Sequence, residues 1–249
     1  MVPQISKKAT SPTGGIDRLL TLCKYEYTTL ASETEAMRMV DLVRIPLDQP
    51  PPVVDDLAKL LAPGERERAY RFRFTRDRGR FIVARAALRQ LLGASLGQPP
   101  SLVAFTYGPN GKPALADAGA GLCFNLSHSA ELALCALAPG TELGVDVEAH
   151  RPLDDMDALA ERFFAPAEVA WLQQQADRMA AFFRLWTCKE AYVKALGLGL
   201  SLDTRSFAVD LAAGRVGDWY LRAFTPAPGY AAALCSRTSV TLNCWDWQP

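Results

Sequence analysis

"KEAYVKALG", residues 189–197, closes a helical pattern on Leu-Gly, and "ARAALRQLLG", residues 84–93, closes another in the same way. Short strand-like runs follow each of them. After "ARAALRQLLG" come "GLCFNLS", "LALCAL" and "LGVDVE"; after "KEAYVKALG" come "SFAVDL", "WYLRAF", "YAAALCS" and "SVTLNCWDW". "LALCAL" and "YAAALC" also look alike. A long helix followed by strands, twice over, predicts an α+β fold. Its two similar halves would each pack a long helix on a small, mostly antiparallel sheet. The first helix is expected over 77–93, with Gly93 as its stop. In the second, Leu185, Cys188, Ala191, Tyr192, Ala195 and Leu196 form the apolar stripe. "APGTE" (138–142) reads as a hairpin turn between "LALCAL" and "LGVDVE". The halves join near Pro139 and Gly140, giving residues 37–139 and 140–249. Residues 1–36 lack clear periodicity and read as an N-terminal extension, expected to be disordered.

Composition narrows the function. Of 249 residues, 49% are apolar and 22% charged, which suits a globular chain. A net charge of zero supplies no global field toward nucleic acid or anionic lipid. Arginines crowd residues 65–89 and carboxylates crowd 142–168; on charge alone, two solvated faces explain this as simply as a bound anion and metal. The six cysteines show no C-x-x-C spacing and sit mostly in apolar runs, as small buried side chains in a reducing compartment do. With only His128 and His150, a histidine-rich metal site is excluded. No apolar run approaches membrane-spanning length, so a cytoplasmic protein is expected.

Several short motifs are chemically suggestive. In "GVDVE", strand alternation puts Asp146 and Glu148 on one face, roughly 7 Å apart. They either line a wet face or share a hard divalent cation such as Mg²⁺. Glu190 and Lys194 lie one helical turn apart and off the apolar stripe, in water or in a polar cleft. "FNLSHS" sets His128 between Ser127 and Ser129, and "GKP" (111–113) offers Lys112 on a glycine turn; both could bind phosphate. No third partner completes a Ser-His-Asp triad, so nucleophilic hydrolysis is rejected.

In this order and at these separations, "GKP", "FNLSHS", "GVDVE" and "WTCKEAYVKALG" resemble the Sfp-type 4′-phosphopantetheinyl transferases, over residues 40–235. The resemblance implies transfer of the phosphopantetheine arm of coenzyme A to a serine of a carrier protein, with release of 3′,5′-ADP. It also implies a monomer of two similar halves with the active site in the cleft between them. By position, Asp146, Glu148 and Glu190 would hold Mg²⁺, and Lys194 would contact the phosphate under attack. Glu190, or a water held by it or the metal, would be the base. Lys112 and His128, with Ser127 beside them, would hold the 3′-phosphate of coenzyme A and nearby groups. Arg80 and Arg68 would contact the same ligand, with Arg66 the alternative to Arg68. The expected partners are acyl or peptidyl carrier domains of fatty-acid, polyketide or nonribosomal peptide synthesis, with no nucleic acid and no membrane. The alternatives are a non-catalytic carrier-binding module on the same fold and a Mg²⁺-dependent phosphatase.

Overall fold

The computed structural model describes residues 19–22 and 38–249. Along the chain run β1 (Leu20–Leu22), β2 (Arg38–Pro46), α1 (Pro51–Ala58), α2 (Pro63–Tyr70) and α3 (Thr75–Leu96). Five strands follow: β3 (Phe105–Tyr107), β4 (Pro113–Leu115), β5 (Leu122–Ser129), β6 (Leu132–Pro139) and β7 (Leu143–Ala149). The remainder holds α4 (Met156–Phe163), α5 (Pro166–Gln173), α6 (Arg178–Leu196), β8 (Arg215–Val216), β9 (Trp219–Phe224), β10 (Tyr230–Ser236) and β11 (Val240–Trp247).

The strands make a five-stranded sheet ordered β1-β11-β2-β6-β5, a four-stranded sheet ordered β7-β10-β9-β8, and the small β3-β4 hairpin. The helices and the two sheets stack in four layers. Val43, Ile45, Cys135 and Leu137 of the first sheet pack on α3 through Val83, Leu88 and Leu91. Leu42, Leu134 and Ala136 meet Val145, Val147 and Leu234 between the sheets. Ala231, Ala233 and Cys235 of the second sheet pack on α6 through Leu185, Cys188 and Ala191. A strand covered on both faces needs apolar side chains on both, so β6 and β10 read as continuous apolar runs. Every residue of β10 is buried.

The α+β class and the helix-on-sheet halves are as expected, and four details differ. First, α3 passes through Gly93 and ends at Leu96, with Gly97 as its left-handed cap (φ 65°). Gly93 lies inside the helix because the chain folds back over it: an added Cβ would stand 2.7 Å from Gln98 O. Second, "APGTE" is no hairpin turn. β6 pairs with β5 and β2, while β7 pairs with β10, so Gly140 (φ 57°) carries the chain from one sheet to the other. Third, "SFAVDL" is not a strand, because side chains of the neighbouring helices take its backbone groups. Val209 N donates to Glu168 Oε1, and Phe207 O accepts from Lys189 Nζ. Fourth, β11 pairs in parallel with β2 in the first sheet, although it ends the second half of the chain. Of the extension 1–36, residues 19–22 are described and include β1, an edge strand antiparallel to β11; the rest lies outside the described residues.

Each half also repeats one buried device. Glu65 in the first turn of α2 accepts from Ala62 N and pairs with Arg89 of α3 at 2.6 Å. Glu168 in the first turn of α5 accepts from Ala165 N and pairs with Lys189 of α6 at 2.8 Å. Arg89 then donates to Pro100 O and Val103 O, and Lys189 to Thr204 O and Phe207 O. Each long helix is thereby tied to the short helix before it and the loop after it, at the desolvation cost of a buried ion pair.

Candidate active site

The site forms where the edge strands β5 and β7 of the two sheets meet under α6. No backbone ladder joins these strands, and the polar side chains of β5 replace it. Asn125 Oδ1 accepts from Val145 N at 2.8 Å. Ser127 Oγ donates to Asp146 Oδ1 at 2.8 Å, and Ser129 Oγ donates to Glu148 Oε2 at 2.7 Å. Ser129 Oγ also accepts from Ala149 N. The period-two series Asn125, Ser127, Ser129 thus holds the two carboxylates in register. Asn125 and Ser129 were missed as site-builders in the sequence, although their alternation in "FNLSHS" was there to see.

Gly144 brings α6 down onto these carboxylates. A methyl group there would stand 2.9 Å from Ala195 Cα and closer still to Ala191 O and Ala195 N. Only a glycine lets the helix backbone rest on β7, and this places Glu190 and Lys194 over Asp146. Lys194 Nζ donates to Asp146 Oδ1 at 2.5 Å and to Ser127 Oγ at 2.8 Å. Asp146 is 2% exposed, and its Oδ2 is buried with no hydrogen-bond partner among the described residues.

The electrostatics are those of crowded acids. Burial raises the Asp146 pKa against the pull of Lys194 and Ser127. Glu148 is raised by burial and by Asp146, with Ser129 opposing. Glu190 is raised by burial, then by Asp146 and Glu148, with Lys194 opposing. Asp146 thus raises the pKa of both glutamates and Glu148 that of Glu190, and such a site favours added positive charge. Among the described residues, however, no three His, Cys, Asp or Glu side chains converge into a metal cage.

The phosphate-binding candidates divide. His128 stands exposed on β5, yet surrounding protein, then Lys194 and Arg68, lower its pKa. Lys194 and Arg68 therefore share its field. Arg68 lies over the Phe81 ring (5.2 Å) on the wall of a cavity that reaches Gly111 and Pro113 of the "GKP" turn. Lys112 donates to Leu143 O and Ala195 O, both at 3.1 Å, and burial lowers its pKa. Two of its three N–H donors thus tie the turn to β7 and to the end of α6. Arg80 makes a two-point ion pair with Asp48 (2.6 and 2.8 Å) and lines a different cavity with Arg66. Lys189 is a further residue that sequence reasoning passed over, because periodicity gives no reason to bury a lysine.

Comparison with known proteins identifies the family. Residues 142–235 match the model for the 4′-phosphopantetheinyl transferase superfamily, and residues 52–140 match 4′-phosphopantetheinyl transferase, N-terminal. The 4′-phosphopantetheinyl transferase HetI of Nostoc sp. (strain PCC 7120) is 49% identical over 166 residues, covering 65% of this chain and 70% of the relative. The enzyme psf-1 of Bacillus pumilus is 32% identical over 74% of this chain and 82% of its own length; Sfp of Bacillus subtilis (strain 168) is 29% identical over 71% and 82%. A solved Thermotoga maritima holo-[acyl-carrier-protein] synthase overlays 38% of this chain and 61% of its own, at 20% identity and a TM-score of 0.33. The site thus lies where the two matched segments meet, and the chain belongs to the 4′-phosphopantetheinyl transferase family.

Proposed function

We propose that this transferase takes its phosphopantetheine arm from coenzyme A, with Mg²⁺ bound, and attaches it to a serine of an acyl or peptidyl carrier protein. The observation that carries this reading is the cluster of Asp146, Glu148, Glu190 and Lys194 between β7 and α6, with the orphaned Oδ2 of Asp146 at its centre. Those carboxylates fit a hard cation that keeps water and phosphate ligands better than one caged by protein alone. Bound there, Mg²⁺ would offset the negative charge of the pyrophosphate and of its transition state.

The chain's own residues do the rest. The acceptor serine oxygen attacks the β-phosphorus, and the bond to the phosphate of the departing 3′,5′-ADP breaks. Lys194 has one N–H donor left beyond Asp146 and Ser127, and it directs this donor at the phosphate. Glu190, directly or through a water, accepts the serine proton; its raised pKa suits a base. His128 and Arg68 bind the 3′-phosphate of coenzyme A. Lys112 holds the turn beside them and offers its third donor. Arg80 acts on the ligand only if it leaves Asp48. The protein works as a cytoplasmic monomer; among the described residues, no helix is long and apolar enough to cross a membrane.

The test is incubation with coenzyme A, Mg²⁺ and an apo carrier protein, read by mass spectrometry. A gain of one phosphopantetheine on the carrier supports the reading. An unchanged carrier, with coenzyme A cleaved or merely bound, overturns it.

A further inference from the structure

The second sheet carries a cationic cavity that the transfer chemistry does not use. β8 pairs with β9 at Trp219 and Tyr220 alone, so β9 beyond Leu221 has no strand on that side among the described residues. A cavity of about 380 Å³ opens at this edge. Arg184 of α6, Arg215 of β8 and Arg222 of β9 line it with Tyr220, Ser239 and the turn at Gly214, and among the described residues no carboxylate does.

The site is separate from the catalytic one. Arg222 lies opposite Leu234, which belongs to the cluster between the sheets. Asp146 lies opposite Ala233, which belongs to the cluster under α6. The two residues therefore project from opposite faces of one sheet.

Arg222 Nη1 is buried with no hydrogen-bond partner among the described residues. Burial lowers the pKa of Arg222, and the opposing influence is the thiol of Cys244, not an acid. Arg215 lies over the Tyr220 ring at 3.9 Å. Asp210, which bridges to Arg215 through the backbone, turns its Oδ1 to Ala212 N and Ala213 N. A half-buried guanidinium with one N–H group buried and unpaired is costly unless something else accepts that hydrogen bond. Three arginines on one small cavity also repel each other. A tetrahedral oxyanion answers both demands, because it brings negative charge and several acceptors to the planar forks of arginine.

We propose that this cavity binds a phosphate-bearing anion through Arg184, Arg215 and Arg222, around the free edge of β9 in the second sheet, with none of the catalytic carboxylates in its lining. The anion is inorganic phosphate or the phosphate of a small phosphomonoester. Titration calorimetry of the full chain at fixed ionic strength tests this, with inorganic phosphate in one arm and glycerol phosphate in the other. The variants are Arg222→Gln, Arg215→Ala and, as an active-site control, Lys194→Ala. Expected are one saturable site in the parent protein, its retention in Lys194→Ala, and weakening of at least about tenfold in both arginine variants. Transfer activity of Arg222→Gln in phosphate-free buffer should match the parent. Tighter binding of glycerol phosphate marks a phosphomonoester site, and equal or weaker binding marks a site for free phosphate. Should Arg222→Gln not fold, Arg215→Ala at the cavity's edge carries the test. No saturable binding, or equal affinity in the arginine variants, overturns the proposal.

Discussion

The two halves share one scaffold and differ in what they place beside it. Each long helix buries a cation, Arg89 or Lys189, against a glutamate of the preceding short helix, and eight residues later each ends on a left-handed glycine, Gly97 or Gly197. One residue past the cation stands Gln90 in α3 and Glu190 in α6; five residues past it stand Ala94 and Lys194. Gln90 Oε1 merely accepts from Trp247 Nε1. Glu190 and Lys194 instead overlie Asp146, because Gly144 lets α6 rest on β7. The comparison teaches that the buried cation and the glycine cap build the half, whereas chemistry needs two polar residues and a strand that lets the helix approach.

Removing the buried cations should have the largest effect. Lys189→Met leaves Glu168 buried without its cation, at a cost of about 3–5 kcal/mol in urea unfolding. Arg89→Met should cost less, because Arg85 still pairs with Glu65. Equal losses would break the claim that the second arginine compensates. Catalysis should separate the halves next. Lys194→Ala is expected to lower kcat by about 10²–10³ with little change in coenzyme A affinity. Gln90→Ala should leave kcat unchanged and cost about 0.5–1.5 kcal/mol through the Trp247 hydrogen bond. Steady-state kinetics on both decides it, and a kcat defect in Gln90→Ala would erase the distinction. Gly144→Ala follows, at about 1–3 kcal/mol from overpacking and with a lower kcat, since the clash is with helix backbone. Gly64→Ala is its control: nothing lies within 4 Å of the added methyl, and stability should stay within about 0.5 kcal/mol.

The smallest effect is on pH dependence. Glu148 and Glu190 have pKa values raised above their usual 4.5. The folded state therefore binds their protons more tightly than the unfolded chain. That stability is present below the ordinary carboxylate range and is lost as pH rises through the raised values. With chelator present, Glu190→Gln should raise Tm at pH 7–8, by roughly 2–4 °C for each kcal/mol relieved. The gain should shrink below pH 4.5. A gain confined to acid pH would reverse the sign and refute the crowded-acid description.

How much was legible follows from which interactions are local. The strands of "LALCAL" and "YAAALCS" were readable because burial on both faces leaves an unbroken apolar run. Helix α6 was readable from its stripe, although Lys189 is buried against periodicity. The end of α3 was misread because Gly93 looks like a cap, and only the fold-back at Gln98 shows why a glycine stands inside the helix. The hairpin at "APGTE" was misread because turn chemistry does not record which sheet the next strand joins.

By itself the sequence determined the helices, most strands, the two-half pattern and the carboxylates and cations fit for phosphate chemistry, since these depend on residue type and short spacing. Tertiary structure decided which of them meet. It put Glu190 and Lys194 over Asp146 through the bare backbone of Gly144, and it tied β5 to β7 through Asn125, Ser127 and Ser129. It also turned Lys112 onto two carbonyls and set Arg80 on Asp48. Such outcomes rest on contacts between residues distant in the chain, where close packing and burial, rather than spacing, fix the partner.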